Sequence, residues 1–236
     1  MPQTEWGWQI TPEELRSWII EDRPDLIVVN KPGLVVCHPS KKGPWSSLIG
    51  ACRELLGVDR LHMPFRLDRE TSGVVLMVKD PAVASRIQKA VQERLVQKEY
   101  LAVLHGRLEK ARLVDAPIGR EGNDVFATRQ WVRGDGQPAV TEFEPVSVSD
   151  RFTLVRVLPR TGRLHQIRVH AAWMGHPIVG DKLYPDPRWM AQFVREGMNA
   201  EMRAAMLIDR QALHCSHATV DGESFYAPMP SDMAIM

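Results

Sequence analysis

Three stretches of this 236-residue chain carry side chains able to do chemistry. The first is Phe65-Arg66-Leu67-Asp68-Arg69-Glu70-Thr71-Ser72-Gly73, directly before the apolar run Val74–Val78. A carboxylate in a charged, hydroxyl-rich loop braced by a buried strand suits a nucleophile or a base. Arg66 and Arg69 flank Asp68 and favour its ionised form. The same residues also suit a plain turn whose Asp, Thr and Ser satisfy backbone groups. The loop alone does not choose between the two. The second stretch is Arg160-Thr161-Gly162-Arg163-Leu164-His165-Gln166-Ile167-Arg168-Val169-His170. On a helix, His165 and Arg168 are three apart, and Gln166 and His170 four apart. Ile167, Val169 and Ala171 bury part of that helix, and a buried arginine needs a carboxylate. Asp68 is a candidate partner for Arg168. The third is Gln97-Lys98-Glu99-Tyr100-Leu101-Ala102-Val103, where Lys98 and Tyr100 project to the same side of a strand. A strand tyrosine is ordinarily core, with its hydroxyl reaching a partner.

Other chemistries have no support in the spacing. Gly119 and Gly122 sit in a polar loop, not between strand and helix, so no phosphate loop or dinucleotide fingerprint is present. The histidines have no cysteine partner and no His-Glu-x-x-His spacing, so no metal is expected. Cys37, Cys52 and Cys215 are an odd, sparse set that suits a reducing compartment. The start has no signal-like segment, and Val74–Val78 is far short of a membrane span. The expectation is a cytoplasmic protein.

The chain holds 30 basic and 29 acidic residues, a net charge of +1. Taken whole, this excludes a strongly basic or acidic protein. The layout is uneven: Arg156–Lys182 carries five Lys/Arg and one acid, and Arg86–Lys98 four and one. Residues 186–236 carry four Arg and seven acids. The pattern predicts a basic face able to meet a polyanion, and an acidic one opposite in sign. A merely solvated surface is the plain alternative.

The elements that must position these groups follow from periodicity and punctuation. Thr11-Pro12-Glu13-Glu14 starts a short helix. Leu26–Val29 and Leu34–Cys37 read as strands joined by a turn at residues 30–33. Residues 46–56 have helical spacing after a serine cap. Val74–Val78 is a buried strand, and Asp80-Pro81 opens a helix with a face of Val83, Ile87, Ala90, Val91 and Leu95. Glu99–His105 is a strand, and residues 107–138 are loop and short strands. Residues 139–146 and 151–158 form a hairpin around Ser149-Asp150. A helix near 164–174 ends at Gly175. Val179–Tyr184 reads as extended, Gln192–Met206 as one helix, and Leu207–Val220 as a strand. Strands outnumber helices without regular crossovers, which predicts an α+β fold with a mixed, largely antiparallel sheet flanked by helices and loops.

Together these segments resemble the RluA-type family of RNA pseudouridine synthases, from about residue 24 to about residue 220. Phe65–Gly73 is similar to that family's His-Arg-Leu-Asp-x-x-Thr-Ser-Gly motif, and Lys98–Gly106 to its tyrosine strand. Gly162–His170 is similar to its Gly-Arg-x-His-Gln-Ile/Leu-Arg-x-His motif. Val29–Gly33 and Gly175–Tyr184 fit its first motif and the continuation of the last. The resemblance implies isomerisation of specific uridines to pseudouridine in structured ribosomal or transfer RNA, with no cofactor. It implies that Asp68 is the catalytic aspartate and that Tyr100 packs on the uracil and accepts a proton. Arg168 would pair with Asp68, and Arg66 would enter the RNA stack where the uridine leaves. Arg163, His165 and Gln166 would shape the pocket and the RNA path, and Arg69 and Lys98 would add positive charge to it. Attack at C1′, attack at C6 and a glycal route all stay open. Phe65 replaces the family's histidine and Leu164 its threonine or serine. The Phe65 exchange motivates an alternative, a catalytically impaired RNA-binding or RNA-folding factor. The expected organisation is an N-terminal extension with a short helix (1–23), a catalytic domain (24–220) and a tail (221–236). It resembles the short form without an appended RNA-binding domain, acting as a monomer with no obligate protein partner.

Overall fold

The computed structural model describes residues 3–4, 7–38, 42–120 and 126–234. Gly122 of the polar loop, and Trp6 of the Trp-rich start, lie outside the described residues. The first strands are β1 (Gln3–Thr4), β2 (Gly7–Trp8), β3 (Ile19–Asp22), β4 (Leu26–Lys31), β5 (Ser72–Val78) and β6 (Gln97–His105). They are followed by β7 (Arg112–Asp115), β8 (Ile118–Arg120), β9 (Gln130–Val132), β10 (Val140–Val148) and β11 (Phe152–Pro159). The last are β12 (Leu213–Val220) and β13 (Glu223–Tyr226). The helices are α1 (Pro12–Trp18), α2 (Leu48–Leu56), α3 (Pro81–Gln92), α4 (Gln166–Trp173), α5 (Arg188–Glu196) and α6 (Ala200–Met206). The fold is α+β with largely antiparallel pairing. The chain divides into two compact units, Met1–Lys98 with Cys215–Pro228, and Glu99–His214 with Met229–Met236.

In the first unit, β3, β4 and β5 pair antiparallel, with Val28 opposite Leu76 and Val29 opposite Val75. β5 is buried at every position. A strand covered on both faces reads as a continuous apolar run instead of an alternating one. β12 follows β5 in the sheet and carries β13 on it. Gly73 lies at φ +114°, and a Cβ there would sit 2.1 Å from the Cys215 carbonyl oxygen. Only glycine allows that approach.

Local signals set the helices of this unit. Thr11 and Glu14 form a reciprocal capping box on α1. The Ser47 hydroxyl accepts the Gly50 N–H at the start of α2, and Gly57 ends it in the left-handed region. Asp80 caps α3, which buries Ala84, Ile87 and Ala90. Leu95, expected on that face, is 64% exposed, because α3 stops at Gln92 and Arg94 turns left-handed.

Leu34–Cys37 is not a strand. Leu34 has φ +70°, and the Val36 and Cys37 carbonyls accept from Leu48 and Ile49 at the start of α2. The helix start takes the acceptors that a ladder would have used.

In the second unit the order is β6–β11–β10–β7, antiparallel throughout, with Tyr100 opposite Val157. β8 and β9 form a separate ladder. α4 packs on β9, β10 and β11. The single helix expected over 192–206 is two, α5 and α6. Gly197 (φ 70°, ψ −163°) breaks the run, and Asn199 caps α6 by accepting the Met202 N–H. Val179–Tyr184 is bent rather than extended, because Asp181 Oδ1 accepts the N–H groups of both Leu183 and Tyr184. The last long strand begins at Leu213, not Leu207, which takes φ +66° as the cap of α6.

Candidate active site

The Asp68 loop is irregular backbone held by a lysine. Lys31, at the end of β4, is fully buried. Its ammonium donates to the carbonyls of Pro32 and Val35 at 2.9 Å, and of Arg69 at 3.1 Å. An ammonium has three donors, so this geometry fits its capacity. It ties the 32–35 segment to the residue next to Asp68. Arg69 Nε returns a bond to the Leu34 carbonyl at 3.3 Å, and the Thr71 N–H donates to the Asp68 carbonyl at 3.2 Å. Phe65 and Leu67 are buried, which anchors the loop on alternate side chains. Asp68 itself is half-buried, while Arg66 and Arg69 are exposed. Arg66 has no ion-pair partner among the described residues.

Phe65 has a specific use for its ring. The Lys98 ammonium lies 5.0 Å from the ring centroid, a cation–π contact where the family's histidine would offer hydrogen bonds. Desolvation pushes the Lys98 ammonium below its ordinary range, with Cys215 acting weakly the other way. Burial pushes the Cys37 thiol up, opposed first by Lys31 and then by the Leu67 backbone it lies against.

The 161–184 region is built from side chains. Arg168, on α4, donates from Nε and Nη2 to the two carboxylate oxygens of Asp181 at 2.7 and 2.9 Å. Both residues are buried, so each charge requires the other. The Arg168 guanidinium lies 5.1 Å from the Tyr184 ring centroid. The Tyr184 hydroxyl accepts the Gln130 N–H at 2.8 Å and shares a hydrogen bond with His165 Nδ1 at 3.1 Å. Burial pushes that phenol up to about 12. His165 sits at φ +56° before α4, a costly conformation for a non-glycine residue.

Gln166 belongs to a directional chain. Its Oε1 accepts from the Thr161 hydroxyl at 2.7 Å and from the Arg163 N–H at 3.0 Å. Its Nε2 donates to the Val140 carbonyl at 3.0 Å and to Thr141 Oγ1 at 2.9 Å. The Thr141 hydroxyl reaches His170 Nδ1 at 2.8 Å, and His170 Nε2 lies 2.9 Å from the Ala116 carbonyl. A carbonyl only accepts, so Nε2 carries the proton and Nδ1 accepts from threonine. Burial lowers the His170 pKa, consistent with the neutral ring this chain requires.

The predicted residues therefore fall into two groups. Arg66, Asp68, Arg69 and Lys98 lie in the first unit. Tyr100, Arg163, His165, Gln166 and Arg168 lie in the second. Tyr100 is buried on β6, and Arg163 is half-buried with Nε on the Pro138 carbonyl at 3.0 Å. Gln166 is buried, and its amide is committed to protein partners. Three positioning residues escaped sequence reading: Lys31, Asp181 and Thr141. Lys31 and Asp181 stand inside quoted motifs, and a lysine ending an apolar strand is a signal for a buried amine. Thr141 carries no such signal.

Residues 25–173 match the family model described as RNA pseudouridylate synthase. The chain belongs to the RNA pseudouridylate synthase family. This synthase is 34% identical over 225 residues to ribosomal large subunit pseudouridine synthase D of Vibrio vulnificus, covering 91% of this chain and 68% of that one. It is 35% identical over 227 residues to the uncharacterized RNA pseudouridine synthase YjbO of Bacillus subtilis, covering 92% and 74%. Among solved structures, human RNA pseudouridylate synthase domain containing 4 superposes with a TM-score of 0.74 at 25% identity, over 94% of this chain and 92% of that chain. Human RNA pseudouridylate synthase domain containing 1 gives 0.72 at 26%, over 94% and 85%. The synthase is thus an isomerase of uridine in RNA. Among its described residues no helix is long and apolar enough to cross a membrane.

Proposed function

We propose that this synthase isomerises specific uridines in structured ribosomal or transfer RNA, with Asp68 as the catalytic carboxylate. The N1–C1′ bond of the uridine breaks, the base turns, and a C5–C1′ bond forms. The proton displaced from C5 is matched by one gained at N1, so the reaction is balanced without an oxidant or reductant. In this reading Tyr100 packs on the uracil and accepts a proton, and Arg168 is the charge that supports the ionised Asp68. Arg66 takes the space the flipped base leaves, with Arg69, Lys98, Arg163 and His165 along the RNA path. Gln166 serves by holding the start of α4.

One observation carries the reading. The Asp68 loop is fixed from behind by the fully buried Lys31. Exposed arginines stand on either side of the carboxylate. A merely structural turn has no use for that pairing of rigidity and exposed charge. The ribosomal names of several relatives point to ribosomal RNA as the first substrate to test.

The experiment is pseudouridine mapping across cellular RNA with and without the gene, followed by assay of Asp68→Ala on the RNA identified. The variant is expected to lose at least ~10⁴-fold in rate, to bind RNA within a few-fold of the parent, and to melt at a similar temperature. Retained turnover would remove Asp68 from the chemistry. The parent's RNA affinity is expected to fall as salt rises.

A further inference from the structure

We propose a second RNA subsite in the first unit, a groove that takes one unstacked nucleotide flanking the target uridine. It rests on the RNA reading above. Leu61–Pro64 forms one wall of a groove of about 460 Å³, and α3 forms the other. Both walls are anchored at the end of β5. His62 exchanges backbone hydrogen bonds with Val78 at 2.9 and 2.8 Å. Asp80, two residues beyond Val78, accepts the Ala82 and Val83 N–H groups at 2.7 and 3.0 Å and so fixes the start of α3. The groove is preorganised, so a ligand orders little on entering.

Its lining matches a base rather than an ion. Leu61, Pro64, Pro81 and Ala84 give apolar surface, and the two proline rings are rigid and flat enough to lie on a base. His62, Ser85 and Gln88 are exposed and offer donors and acceptors to the base edge. Pro81, Ala84, Ser85 and Gln88 recur at helical spacing and so share one face of α3. The volume lies in the range of small-molecule sites, roughly 300–1,000 Å³.

Charge selects a nucleotide over a neutral peptide. Arg60 and Arg66 bracket the loop wall, both exposed. Neither has an ion-pair partner among the described residues. On the helix wall, by contrast, Arg86 is bonded to Asp221 at 2.8 Å and Lys89 lies 3.8 Å from Glu93. An unpaired guanidinium at Arg60, next in the chain to the lining residue Leu61, beside an apolar slot with a polar rim is what a phosphate and a stacked base need. Pro64 is four residues from Asp68, so the chain separates the two by at most about 14 Å. Pro64 therefore marks the end of the groove nearer the target, and His62, paired with Val78 at the far end of β5, the end farther from it. His62, Ser85 and Gln88 then read the base beside the uridine, and Arg60 holds its phosphate.

The test uses an RNA that the parent modifies. Ser85→Trp fills the groove from an exposed helix position, and Arg60→Ala removes one charge from an exposed loop. Ser85→Trp is expected to raise KM about 10-fold, the order of one lost stacking contact, with kcat and melting temperature unchanged. Arg60→Ala is expected to lower the salt slope of log affinity by about one unit. 4-Thiouridine placed at each flanking position in turn should crosslink to the 60–66 peptide at one position only, and Ser85→Trp should abolish that crosslink. An unchanged KM with an unchanged crosslink pattern in Ser85→Trp overturns the subsite while the parent's turnover leaves the RNA reading standing. Loss of a protein partner in Ser85→Trp, with RNA kinetics intact, overturns it equally. A parent that isomerises no uridine in any RNA overturns the RNA reading itself and the subsite with it.

Discussion

The Asp68 loop and the 161–184 region are held by opposite means. In the loop, backbone carbonyls converge on one buried ammonium, and the arginine side chains remain exposed. In the 161–184 region, polar side chains bond to one another: Arg168 with Asp181, and Thr161 through Gln166, Thr141 and His170 to Ala116. The first arrangement leaves charge outside for a polyanion. The second commits Gln166, Thr141 and His170 to one another, so these three contribute shape and rigidity. The difference separates exposed charge from inward-facing polar side chains inside motifs that look equally polar in sequence.

The sharpest way to break that comparison is Asp181→Ala. It removes the two-oxygen partner of the Arg168 guanidinium and the acceptor of two N–H groups, and should cost about 3 kcal/mol of stability in urea unfolding. A cost below about 1 kcal/mol would mean the pair is not the support it resembles.

Lys31→Met tests the loop. It leaves carbonyls without their donor and should cost about 3 kcal/mol. Here kcat should fall further than the loss of folded protein explains, because Arg69 adjoins Asp68. An unchanged kcat in the folded fraction would detach Lys31 from the chemistry.

Gln166→Leu should cost about 2 kcal/mol while RNA affinity measured well below the melting temperature stays within two-fold of the parent. A large loss of affinity with normal stability would restore Gln166 as an RNA contact.

The smallest effect is in pH. Burial holds the folded-state pKa of His170 below its ordinary 6.5. Between those two values the unfolded chain binds more protons. Stability is therefore full above about 6.5 and declines as pH falls below it. His105 is lowered in the same direction, by burial and then by Arg151. Unfolding curves at pH 7 and pH 5 should show a smaller acid loss in His170→Gln than in the parent. Equal losses would mean another group dominates.

Much of the fold was legible where one local signal sufficed. The Thr11, Ser47 and Asp80 caps and the fully apolar β5 each encode their element in a few residues. The errors fell where a distant or neighbouring group took over the backbone. Leu34–Cys37 has strand composition, yet its carbonyls serve α2 and Lys31. Val179–Tyr184 bends around the Asp181 carboxylate. The helix expected over 192–206 passes through Gly197, whose conformation only the packed chain sets.

The site divides in the same way. Residue types and spacing singled out Asp68, Tyr100 and the Arg163–Arg168 run as polar groups beside apolar runs, but left a plain turn and a core tyrosine open, and only the resemblance to a family implied roles for them. The sequence alone did not reveal that Lys31 braces the Asp68 loop, that Asp181 holds Arg168, or that Gln166 faces inward. Those roles depend on which partners lie within about 3 Å, and partners far apart along the chain meet only after the sheet has formed.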